Sequence, residues 1–187
     1  RPVFVDEDEN ILRKEESNSF NKVSGEKGFN LLFGKDNLID CLWNYAIKKE
    51  LVLEFPKGMY HEDFATMPLM ILKAKTMVSI NKYDYYVQSQ NSIMRNKNEE
   101  MERKKLQDKL VHFDNLLKQS KKMLLKKMTK ENLAIFATNS LLAVIPDLDE
   151  ENKIWFEKEL KSRKIAKNIK IRSFKQFIKR IMLEVKY

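Results

Sequence analysis

The chain has 187 residues, 43% of them hydrophobic and 34% charged, with only 4 Gly and 4 Pro; that excludes a disordered polyelectrolyte and favours long helices over tight turns. The formal net charge of +9 is uneven, because residues 1–96 carry 13 basic and 14 acidic side chains whereas residues 97–187 carry 23 and 13. A single cysteine, Cys41, excludes an internal disulfide and points to a reducing compartment, and no apolar run approaches the roughly 20 residues of a bilayer span.

Val3-Phe4-Val5 reads as the end of a strand entering the acidic turn Asp6-Glu7-Asp8-Glu9-Asn10, an opening expected of a piece of a longer protein. Residues 6–27 are polar and patternless, and Gly25 and Gly28 mark them as a connector. Apolar spacing then predicts a helix over about 37–49, capped by Asp36, with Cys41 a buried thiol on it. Phe55-Pro56-Lys57-Gly58 is a turn, 62–74 is periodic as a helix, and 76–80 and 83–88 are short β-branched or aromatic strands. Beyond residue 96 a long amphipathic helix is expected over 99–128, with apolar positions including Leu106, Leu110, Phe113, Leu117, Leu124 and Met128. Further helices follow over 130–143, 150–163 and 173–185, broken at Pro146 and near Asn168. The fold class expected is α+β, mainly helical.

Four motifs stand in order: Trp43-Asn44; Phe55-Pro56-Lys57-Gly58-Met59-Tyr60-His61-Glu62-Asp63; Ala74-Lys75-Thr76; and Tyr83-Asp84-Tyr85-Tyr86-Val87-Gln88-Ser89-Gln90-Asn91-Ser92-Ile93. This order resembles bacterial family-2 glycosyltransferases of the GT-A type, in which a Trp-Asn element, a Phe-Pro-x-Gly turn, a Glu-Asp pair opening a helix, an Ala-Lys pair and a Tyr-rich strand ending near Ser-Ile recur. The match spans roughly residues 37–95. It implies that residues 1–96 are the C-terminal, acceptor-side part of the catalytic domain and 97–187 a helical extension. The implied reaction is inverting transfer of a sugar from a nucleotide-sugar donor to a glycan or lipid-linked acceptor, in cell-surface polysaccharide synthesis.

By the same resemblance, Asp63 is the general base that deprotonates the acceptor hydroxyl, and Glu62 together with the backbone at the helix start orients the acceptor or keeps Asp63 ionised, since a helix N-terminus favours negative charge. Tyr60 and His61 are candidate hydrogen-bonding contacts to the acceptor, and Trp43 a candidate stacking surface for a sugar ring. The plainer alternatives are that Glu62 and Asp63 cap a helix and that Trp43 is core. The family's divalent metal, Mg or Mn, is held by an Asp-x-Asp in the donor-binding half, so none is expected in this chain, which alone is expected to lack donor binding and activity. Asp6-Glu7-Asp8 has that spacing, but it follows Val3-Phe4-Val5, past where the family places its metal motif, and reads as a solvated turn. Two departures touch acceptor chemistry: Tyr45 stands where Lys often follows the Trp-Asn element, and Gln88 and Gln90 stand in places often basic.

Residues 161–187 hold ten basic side chains against one acidic, interleaved with Phe174, Phe177, Ile178 and Ile181 among other apolar residues. They read either as an amphipathic helix on an anionic membrane surface or as a terminal helix packed on its neighbours. The expected location is cytoplasmic, and on the first of these two readings also peripheral at the inner face of the membrane. The competing reading is a non-catalytic basic helical module that binds nucleic acid or an anionic membrane surface; the charge fits, but no nucleic-acid motif accompanies it and the motif order at 43–93 is left unexplained. His61 and His112 are the only histidines, and no zinc spacing, phosphate-binding glycine loop or Ser-His-Asp order is present.

Overall fold

The computed structural model describes residues 2–14, 19–34, 39–80, 82–88, 99–171 and 174–185. The chain is α+β and mainly helical, with strands β1 (Pro2–Val5), β2 (Ile11–Lys14) and β3 (Asp84–Val87) and helices α1 (Gly25–Phe33), α2 (Glu62–Lys73), α3 (Glu99–Lys122), α4 (Lys127–Leu142), α5 (Glu150–Ser162) and α6 (Phe174–Val185). It divides into two compact units, Arg1–Lys105 and Leu106–Tyr187, the boundary falling inside α3. The division expected at 96/97 lies outside the described residues.

In the first unit the sheet order is β2-β1-β3, β1 lying antiparallel to β2 and parallel to β3. Val3, Phe4 and Val5 are buried, as a central strand covered on both faces requires. The acidic turn is built by Asp6, whose carboxylate accepts from the Asp8 N–H at 3.0 Å, the Asn10 N–H at 2.8 Å and the Asn10 amide at 3.0 Å. Those bonds, the Asn10 side chain foremost, hold its pKa below the usual value. Ile11–Lys14, expected to be connector, thus forms a strand.

Helix α1, its first residues also expected to be connector, is capped by Ser24, which accepts from Lys27 N–H at 3.3 Å. Its glycines serve packing rather than looseness. Gly25 N–H donates to Ala74 C=O at 2.8 Å, and a Cβ at Gly25 would land on the Ile71 carbonyl oxygen, so only glycine lets α1 approach the end of α2 this closely. The strand expected at 76–80 reduces to one antiparallel bridge, Val23 with Met77, extended by Ser79, whose hydroxyl accepts from Phe20 N–H at 2.6 Å.

The helix expected over 37–49 is not formed. Asp36 and Asn37 lie outside the described residues, and from Cys41 the chain makes two one-turn 3-10 segments, Leu42–Asn44 and Lys49–Leu51, joined by extended backbone. The apolar side chains that mimicked a helical stripe take separate tertiary partners: Ile39 is buried, while Trp43 turns to the sheet. Tertiary contact here overrides a periodic pattern.

The second unit packs its helices around Leu110, Phe113, Leu116, Leu133, Leu141, Phe156, Leu160 and Ile165. Helix α3 ends at Lys122 rather than 128, and Leu124 is fully exposed in the link to α4. Pro146 sits in a 3-10 turn, Ile145–Asp147, and a second turn, Ile165–Asn168, precedes α6. Asp149 caps α5 by accepting from both the backbone and the side chain of buried Asn152, at 2.7 and 2.8 Å. Arg163, just past α5, donates to Asp114 of α3 at 3.0 Å and to Glu159 at 2.6 Å. Asn168 donates to buried Thr138 of α4 at 3.0 Å. On α6, Leu183 is buried while Ile178 and Ile181 are 42% and 39% exposed; the side chains of Phe174 and Phe177 lie outside the described residues. No helix among the described residues is long and apolar enough to cross a membrane.

Candidate functional site

Asp63 stands in the first turn of α2, where free backbone N–H groups favour negative charge. Its Oδ1 accepts from Phe64 N–H at 2.8 Å. The preceding residue of the turn, His61, occupies the left-handed region at φ 60°, uncommon for a residue with a Cβ, and its side chain makes no capping bond. Glu62 is exposed and supplies its carbonyl to the Thr66 hydroxyl at 2.8 Å. The turn leading into α2 is made by Gly58 at φ 69°, a conformation glycine adopts without strain.

Asp63 is half-buried, and that burial pushes its pKa from 3.8 to about 6; the Phe64 N–H opposes the shift, and the charges of Asp40 and Glu62 add to it. No basic side chain among the described residues offsets the rise. Burial likewise pushes the Cys41 thiol up to about 12, with Asp40 and Asp63 contributing. The Tyr45 hydroxyl is raised by burial, then by Cys41 and Asp40. Asp40, Cys41, Tyr45 and Asp63 therefore form one electrostatically coupled group, in which Asp40 raises the proton affinity of the other three. Cys41 is half-buried and free, close to the buried thiol expected, though not on a helix.

Trp43 is 42% exposed, so it is not core. Its indole stacks on Tyr86 of β3 at 4.9 Å and 26°, and Phe4 of β1 meets both rings edge-on, at 6.4 and 5.5 Å. Arg13 of β2 lies over the Phe4 ring at 4.3 Å. The result is an aromatic shelf anchored on the sheet with one large apolar face open to solvent. Segment 40–45 thus reaches both places: Asp40 acts on Asp63, Asp63 acts on Cys41, and Trp43 joins the shelf. Between them Asn44 buries its Oδ1 with no hydrogen-bond partner among the described residues. Tyr60 is half-buried, with the ammonium groups of Lys104 and Lys105 at 5.9 and 5.6 Å from its ring.

Of the residues read from sequence, Asp63, Glu62, His61 and Tyr60 are contiguous at the start of α2, and Trp43 stands on the sheet-anchored shelf. Asp40, Tyr45 and Tyr86 were missed. A tyrosine-rich run does flag Tyr86 as a stacking partner, but nothing local marks Asp40, which acts on a residue far along the chain. Among the described residues no group of three or more His, Cys, Asp or Glu stands together to hold a metal, and both oxygens of Asp6 are engaged by its own turn. The chain matches no family model, and comparison with curated proteins and with solved structures returns no match.

Proposed function

We propose that this chain forms the acceptor side of an inverting, family-2-like glycosyltransferase with Asp63 as general base. The observation that carries this is the state of Asp63: a half-buried carboxyl at a helix start, without a cation against it, raised to about 6. A base whose pKa lies near the working pH is both ionised there and basic enough to take a proton in the transition state. A carboxylate that only capped the helix would be more exposed and shifted down.

In the proposed reaction the acceptor hydroxyl lies against Asp63, which removes its proton as the oxygen attacks the anomeric carbon. The bond from that carbon to the nucleotide diphosphate breaks in the same displacement, so the configuration inverts. The Trp43–Tyr86 shelf offers an apolar surface to the face of a sugar ring. Nucleotide-sugar, the divalent metal on its diphosphate, and a glycan or lipid-linked acceptor are partners proposed from the motif order; the metal is assigned to the donor-binding half and no step of this chain runs through it. Contact of residues 161–187 with an anionic membrane surface is likewise a proposal, supported by the exposed Ile178 and Ile181 among basic residues.

The test is Asp63→Asn in the enzyme that joins this chain to its donor-binding half. Transfer is expected to fall by about 10²–10⁴-fold with donor binding unchanged, the contribution of a positioned base. Wild-type turnover by the variant would remove the base assignment and leave Asp63 a capping residue.

A further inference from the structure

The second unit contains a groove unrelated to the Asp63 site. It has a volume of about 230 Å³ and lies between the C-terminal half of α3 and the turn that follows α5. Phe113 and Leu117 give it an apolar lining, and Asn168 contributes an amide. Around these stand Lys118 and Lys121, one turn apart on α3 and so on one face of it, and Lys167 from the 3-10 turn.

The groove's charges are not equivalent. Arg163 also lines it, but its guanidinium is already engaged by Asp114 and Glu159, and Asp114 is thereby the partly neutralised acidic member of the wall. Lys118, Lys121 and Lys167 are exposed and have no ion-pair partner among the described residues. Three ammonium groups with no carboxylate of their own, around a fixed Arg–Asp pair, leave a local positive excess that only an outside anion can balance. The size limits the occupant. Pockets for drug-sized ligands run from roughly 300 to 1,000 Å³, so this one suits a phosphate or diphosphate with a small attached group, whose apolar part can rest on half-buried Leu117, with core Phe113 beneath it.

We propose that this groove is a binding site for a terminal phosphate or diphosphate group, with Lys118, Lys121 and Lys167 as its charge-bearing contacts. The arrangement holds the ligand by point charges on flexible stems, and Arg163 shapes the wall without having to change partners. The same chemistry is carried by a soluble phosphoester or by a lipid headgroup, and the choice of probe separates the two.

The test is calorimetric titration of the whole chain at low salt with pyrophosphate, glycerol 3-phosphate and monomeric dihexanoyl phosphatidate, with amide chemical shifts locating the site. Saturable one-to-one binding that shifts amides around 113–121 and 163–168 is expected. Each single change, Lys118→Gln, Lys121→Gln or Lys167→Gln, is expected to weaken it about fivefold, the size of a charge-assisted contact reduced by solvent screening. Binding of phosphatidate alone identifies a lipid source; binding of the soluble esters identifies a metabolite. The absence of saturable binding to any probe, shifts confined elsewhere, or unchanged affinity in all three single variants would overturn the proposal. Because the three lysines are exposed, their variants are expected to keep the wild-type circular dichroism spectrum.

Discussion

Burial raises the Asp63 carboxyl to about 6 in the folded chain from 3.8, so the native state holds the Asp63 proton more tightly than the unfolded chain does. The stabilisation from that proton is complete below about pH 3.8 and is lost as the pH rises through about 6, which leaves an ionised, half-buried carboxylate as a cost at neutral pH. One pKa unit corresponds to about 1.4 kcal/mol, and partial exposure reduces the effective figure, so the cost is on the order of 1 kcal/mol. Asp63→Asn is therefore expected to stabilise the chain by about 1 kcal/mol at pH 7.5 and to confer little below pH 4, measured by urea unfolding across that range. A variant no more stable than the wild type at pH 7.5 would show that the carboxylate is well solvated. The same substitution is expected to raise stability and abolish transfer, a conflict that a purely capping residue would not display.

Helices α2 to α6 were legible because their signals are local: Asp149 before Glu150, Pro146 at a break, and apolar residues at threes and fours. Helix α1 was hidden because Gly25 and Gly28 read as loop residues, while their actual role is to admit the end of α2, which only the packed pair reveals. The false helix over 37–49 has the reverse cause, since its spacing belonged to residues that pack in different directions. The candidate site divides likewise: Asp63 and Trp43 were singled out by motif order, but the influence of Asp40 on Asp63 and the stacking of Tyr86 on Trp43 exist only once distant segments meet. Two backbone substitutions of opposite sign test these elements. Gly25→Ala places a methyl against the Ile71 carbonyl and is expected to cost at least about 2 kcal/mol, as overpacking against backbone does. Lys164 is left-handed at φ 51° just past the end of α5 and is exposed, so Lys164→Gly removes a strain of roughly 1 kcal/mol and is expected to raise stability by about half that after glycine's greater chain entropy is counted. Thermal unfolding of the two variants reads both effects; the same sign for both would contradict the assigned packing.

At the scale of the molecule, charge follows structure: the first unit is neutral, with 17 basic and 17 acidic side chains, and the second holds 19 basic against 10 acidic, the whole excess. The parallel pairing of β1 with β3 has a further consequence, one of time rather than of energy. β1 is the first described segment of the chain, and its partner lies some eighty residues on, from Pro2 opposite Asp84 to Val5 opposite Val87. During synthesis the central strand must wait, one edge unpaired, until nearly the entire first unit has emerged, whereas the helices of the second unit gain their contacts from close neighbours in sequence. Each unit contains one tryptophan, Trp43 and Trp155, so each can be followed alone. In refolding from urea, the fluorescence phase of Trp155 (in the Trp43→Phe variant) is expected to be at least about tenfold faster than that of Trp43 (in the Trp155→Phe variant), because rates fall with the sequence separation of contacts. Equal rates would mean that β1 and β3 are not the slow step. If the order holds, a chain synthesised no further than residue 70 presents the apolar Val3-Phe4-Val5 strand with its β3 edge open, and that nascent interval is when this segment most needs a chaperone.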